Sequence, residues 1–126
     1  MIFEQADLIF AYTRKQALED GILVDVTTMA QEAGFRDTTA LTHTVHSRYV
    51  QIPEGVECQD EAGRLWDILW MLRHAIVHGN GSGSVIYFQV IINNGDPATT
   101  LVKLKAVRGP DDEGKPCVTI MLPNED

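Results

Sequence analysis

Cysteine is scarce, with Cys58 and Cys117 the only two in 126 residues. That excludes the dense disulfide framework of a small secreted domain and fits free thiols in a reducing cytoplasm. Long apolar runs are missing too. The richest stretch, Leu65 to Val77, is broken by Asp67, Arg73 and His74, and it falls short of the roughly 20 apolar residues that cross a bilayer. No membrane span is expected. The opening Met1-Ile2-Phe3-Glu4-Gln5-Ala6-Asp7 has no basic segment ahead of an apolar core, and a secretion signal needs both, so a cytoplasmic protein is the expectation. Positive charge is also short: ten Lys and Arg against eighteen Asp and Glu leave −8 at pH 7. Such a chain repels a polyanion at long range, which argues against direct nucleic-acid binding, because that affinity rests on neutralised phosphates.

What is present reads as one folded unit. The length suits a single domain spanning 1–126, and a hydrophobic content of 44% is that of a chain able to build a core. Thr13 followed by Gln16 is a capping-box pattern, and Gly21 is a stop, so a helix is expected over about 13–20. Ile22-Leu23-Val24-Asp25-Val26 reads as an extended connector or minor strand. Thr27 or Thr28 should cap a short helix with Gln31 returning the bond and Gly34 ending it, and Thr38 or Thr39 should cap another running to about Tyr49. Asp60-Glu61 opens the strongest helix, to about His78, with a stripe of Ala62, Leu65, Trp66, Leu69, Leu72 and Ile76.

Beyond the glycine-rich Gly79 to Ser84 the period changes to two. Strands are expected at about 84–92, 100–107 and 117–122, separated by Asn94-Gly95-Asp96-Pro97 and the acidic turn Gly109 to Pro116. The expected fold class is therefore α+β: a helical N-terminal two thirds (1–80) packed on a three-stranded antiparallel C-terminal sheet (84–122). The back of the first strand, with Val85, Tyr87 and Ile91, needs a cover, and a homodimer would supply one.

Met29-Ala30-Gln31-Glu32-Ala33-Gly34-Phe35-Arg36-Asp37-Thr38-Thr39-Ala40-Leu41 resembles the helix, glycine turn and helix of regulators of the arabinose-operon activator type. That resemblance implies a DNA-contacting face of Arg36, Thr38, Thr39, Thr42, His43, His46 and Arg48. A helical hairpin packed only for stability is the competing reading, because one Arg beyond neutrality offers little to phosphates. His74 and His78, at i and i+4, share a helix face and could begin a zinc site, yet no Glu joins them in an H-E-x-x-H arrangement. Asp111-Asp112-Glu113 lacks the spacing of a calcium loop, and Gly79 to Ser84 has no lysine to make it a phosphate loop. Catalytic, metal and cofactor residues are thus expected to be none, with a small metal-dependent hydrolase the remotest alternative.

Over nearly its whole length the chain resembles an uncharacterised family of small acidic proteins encoded on bacterial plasmids and integrative mobile elements. The resemblance is carried by Tyr12-Thr13-Arg14, Glu19 to Val26, Glu32-Ala33-Gly34-Phe35, Asp60 to Leu72 and Gly109-Pro110-Asp111-Asp112. It implies a non-enzymatic protein-binding module of a mobile element, an inhibitor of host defence of the anti-CRISPR or antirestriction kind. Its partner would be a host protein or nucleoprotein complex, met through an acidic, DNA-mimicking surface of Asp7, Glu19, Asp20, Asp60, Glu61, Asp111, Asp112 and Glu113. A DNA-binding helix-turn-helix regulator is the alternative.

Overall fold

A computed structural model of the chain describes residues 13–57, 59–79, 83–95 and 100–125. The first helix among the described residues, α1 (Arg14–Glu19), starts where local chemistry puts it. The Thr13 hydroxyl accepts from the Gln16 N–H at 3.1 Å, and the Gln16 side chain accepts from the Thr13 N–H at 3.2 Å, so two otherwise orphaned donors are satisfied reciprocally. β1 (Leu23–Asp25) and α2 (Thr27–Glu32) follow. Gly34 leaves α2 with φ +101, the left-handed exit for which glycine is suited. The expected cap of α2 needs correction: Val26 holds the cap position and makes no side-chain bond. Thr27 is otherwise engaged, donating its hydroxyl to Asp25 and accepting from the Thr39 N–H at 3.0 Å.

The largest correction is at Thr38–Thr42, which forms strand β2 and not the second helix of a helix-turn-helix. Only the three-residue α3 (His43–Val45) and a π-helical turn (His46–Val50) come after it. The cause is non-local. Thr38 to Leu41 pair in parallel with Cys117 to Ile120, while Ala40 to Thr42 pair antiparallel with Leu23 to Asp25. Threonine serves a cap and a pleated strand equally well in isolation, and the ladder partners decide between them. Thr42, not Thr38 or Thr39, takes the cap, accepting from the Val45 N–H at 3.3 Å.

The long helix α4 (Glu61–His78) is capped by Asp60, whose carboxylate accepts from the Gly63 N–H at 2.6 Å. β3 (Val85–Ile92), β4 (Thr100–Pro110) and β5 (Pro116–Met121) then run as an antiparallel meander. All five strands form one mixed sheet in the order β1-β2-β5-β4-β3. The expected helical two thirds on a three-stranded antiparallel sheet is therefore replaced by an α+β fold whose sheet recruits strands from residue 23 onward, with short helices around one long one.

Side-chain alternation gives the sheet two faces. On the front, Leu41, Phe88, Val90, Leu104, Val118 and Ile120 meet Ile68, Leu69 and Leu72 of α4 and Ala30 of α2, each large side chain contributing about 1.5–3 kcal/mol by leaving water. The stripe expected to face this core holds only in part: Leu69 and Leu72 are buried and Leu65 packs against the core, but Trp66 and Ile76 turn outward. Trp66 is 36% exposed, Trp70 46% and Ile76 40%, whereas Arg64 is only 5% exposed. The helix is apolar nearly all round, so periodicity alone could not choose the buried side. On the back face, α1 lies over β1, β2 and β5, with Ala17, Ala40, Cys117 and Met121 buried. No described element covers the back of β3 and β4, where Val85, Tyr87, Ile91 and Leu101 are exposed. Among the described residues no helix is long and apolar enough to cross a membrane.

Candidate functional site

Four of the acidic residues singled out from the sequence do come together. Glu19, Asp111, Asp112 and Glu113 line one cleft beside α1, joined by Asp25, which sequence reasoning passed over. The cleft is not purely anionic, since Arg14 and Lys15 line it too. Three of its carboxylates also have work inside the fold, Asp25 by accepting from the Thr27 N–H at 3.2 Å and from its hydroxyl. Asp112 accepts from the Arg14 N–H at 3.0 Å and the Lys15 N–H at 2.9 Å, capping α1 from 98 residues away. Asp111 accepts from the N–H groups of Glu113 and Lys115 at 2.9 Å each, and these bonds hold its carboxyl below the ordinary range. Arg14 completes the clamp, donating to Thr119 Oγ1 at 2.6 Å and the Val118 carbonyl at 3.1 Å. Asp60 and Glu61 sit elsewhere, at the start of α4, and Asp20 is exposed just beyond α1. Asp7 lies outside the described residues.

The residues implied by the helix-turn-helix resemblance do not make one reading face. Thr39 is fully buried and donates to the Asp37 carbonyl at 3.1 Å. Thr42 bonds Glu125 at 2.8 Å. Thr38 is on the back of β2, Arg36 is in the loop before it, and His43, His46 and Arg48 follow the strand on α3 and the π-turn. The rings of His74 and His78 lie with centroids 4.3 Å apart, tilted by 44°, but no cluster of three metal-ligating side chains occurs among the described residues. Cys117 is buried, and burial pushes its thiol pKa up, which disfavours the reactive thiolate. Cys58 lies outside the described residues.

Two features of α4 escaped the sequence reading. The first is the Arg64 guanidinium, buried with no carboxylate partner among the described residues. It donates to Gln59 Oε1 at 2.9 Å and to the carbonyls of Tyr49 at 3.4 Å, Gln51 at 3.2 Å and Asn93 at 2.6 Å. Its pKa is lowered by desolvation, and its hydrogen bonds tie the π-turn, the start of α4 and the end of β3 together. The second is an aromatic platform on the solvent side. Trp66 and Trp70 stack at 5.7 Å with an interplanar angle of 17°, and the Arg73 guanidinium sits 5.2 Å from the Trp70 centroid. Their i, i+4 spacing was visible; their outward orientation was not.

A profile described as "Family of unknown function (DUF6573)" matches residues 1–126. The chain belongs to that family. No curated protein and no solved structure matches it, so the chemistry of this DUF6573 chain is read from its own surface. The richest part of that surface is α4, where two large aromatic rings and a cation face solvent beside Asp60 and Asp67.

Proposed function

We propose that the protein is a non-enzymatic binding module that engages another protein through the Trp66–Trp70 platform. The observation that carries this reading is the stacked, solvent-facing pair itself, 36% and 46% exposed on the side of α4 away from the core. Tryptophan and arginine dominate binding energy at protein interfaces, and isolated folded chains rarely leave adjacent indoles in water without use for them. Stacking on each other and under Arg73 holds the rings in place, so less side-chain entropy is lost on contact. Asp60 and Asp67 border the platform beside Trp66, and with a net charge of −8 they favour fast encounter with a basic partner.

The mobile-element resemblance makes a host-defence nucleoprotein, of the CRISPR or restriction kind, the first partner to test. In that setting the cationic groove that normally holds nucleic acid would meet the acidic rim, and the indoles would supply the contact energy. The test is a titration of the purified host complex with the native chain and with the Trp66→Ala/Trp70→Ala double variant. Both side chains are exposed, so the variant should fold, and its affinity should fall by about tenfold or more. Unchanged affinity would remove the platform as the binding surface. Binding that survives Asp60→Asn, which removes the charge and keeps a helix-capping side chain, would remove the electrostatic part alone.

A further inference from the structure

The two edges of the sheet are built differently. β1, at one edge, has three residues and ends in Asp25. β3, at the other, has eight, Val-Ile-Tyr-Phe-Gln-Val-Ile-Ile, with no charge and no proline. Natural sheets usually blunt an open edge with lysine, proline, a bulge or brevity, because unpaired N–H and C=O groups recruit another strand. β3 uses none of these devices, and no strand lies beyond it among the described residues. The Arg108 N–H donates to the Ser84 carbonyl at 2.7 Å, which marks that pair as bonded. Alternation along the antiparallel ladder then turns the N–H and C=O groups of Val85, Tyr87, Gln89 and Ile91 outward.

The flank of α4 beside this edge is self-complementary. α4 runs antiparallel to β3: Arg64 bonds Asn93 at one end, and His74 and His78 line a cleft with Val85, Ile86 and Tyr87 at the other. Arg73, on the opposite flank, lies against Gly34. Asp67, Met71, His74 and His78 fall on one side at helical spacing, and all four are exposed. Because α4 runs antiparallel to β3 between these two ends, a two-fold axis through the middle of β3 would fall near Met71 and would set Asp67 towards His74 of the second copy, twice over.

We propose that β3 pairs edge to edge with β3 of a second copy of this chain, antiparallel about that axis, to give one continuous sheet in a closed dimer. The like-with-like geometry satisfies the outward backbone groups of both strands at once, and the Asp67 carboxylate of each copy can accept from the His74 imidazole N–H of the other. The interface leaves Trp66 and Trp70 themselves on the solvent side of α4 and shares only Asp67 with the rim of their platform.

Sedimentation equilibrium across the micromolar range should give twice the chain mass of 14.0 kDa. Hydrogen exchange should show the Tyr87 and Gln89 amides becoming protected as the dimer forms. Gln89→Pro removes an outward N–H without touching the β4 ladder and should leave a monomer. Asp67→Lys and His74→Asp, both at exposed positions, should each weaken the dimer about tenfold, and the two combined should restore it. A monomer at every concentration, a dimer whose Tyr87 and Gln89 amides stay open, open-ended assemblies, or a charge swap that fails to restore association would each overturn the proposal. None of these outcomes bears on the tryptophan platform, which is tested with its own variants.

Discussion

The two halves of the sheet share one front core but differ behind it. Over β1, β2 and β5 the back face is sealed by α1, which Asp112 caps and Arg14 pins to Thr119. Over β4 and β3 the same face carries Val85, Tyr87, Ile91 and Leu101 into solvent, interleaved with Lys103, whose ammonium lies 5.7 Å from the Tyr87 ring. The sealed half uses its charged residues to hold itself together, and the open half leaves both its apolar face and its strand edge unspent. Stability should therefore concentrate in the first half and association in the second.

The sharpest test of that contrast pairs two leucines. Leu41→Ala, at a fully buried position on β2, should cost about 2–5 kcal/mol in denaturant unfolding, as buried large-to-small changes do. Leu101→Ala, exposed on the back of β4, should stay within about 0.5 kcal/mol. Equal losses would erase the distinction. Next in size is Arg64→Met, expected to cost about 2–4 kcal/mol because the carbonyls of Tyr49, Gln51 and Asn93 lose a buried donor; chemical denaturation reads it directly, and Arg64→Lys should rescue it poorly, since an ammonium cannot fork to four acceptors. Asp112→Ala should cost about 1 kcal/mol, the usual value of a helix cap, with exchange rising first at the amides of α1.

The smallest effect is acid-dependent. Asp111 is held below its ordinary pKa by the N–H groups of Lys115 and Glu113, so the unfolded chain takes up that proton more readily than the folded one. Its stabilisation is complete above the unfolded carboxylate value of about 3.9 and is lost as pH falls through the lower folded value. Asp111→Asn should be less stable than the parent at neutral pH and converge with it in acid, as unfolding curves across pH would show.

The elements legible in the sequence were those with local causes. The Thr13–Gln16 box needs only four residues, α4 announces itself through Asp60 and its length, and β3 through alternation. Thr38–Thr42 was misread because its deciding partners, Cys117 to Ile120, lie far along the chain. Of the candidate site, the Trp66–Trp70 spacing was readable but its direction was not, since α4 offers apolar residues on most sides. The acids were legible as charges, whereas their engagement in caps and turns, as at Asp112 and Asp111, depended on what folded beside them.

By itself, the sequence determined the starts of α1 and α4, the strand periodicity, the acidic balance and the family. Tertiary structure alone decided which threonines became strand, which side of α4 faced the core and which sheet edge stayed open. The physical reason is range: caps and alternation are satisfied within a few residues, but the choice among equally apolar faces is made by the groups that must be paired against them, as the carbonyls of Tyr49, Gln51 and Asn93 draw Arg64 inward and leave the tryptophans outside.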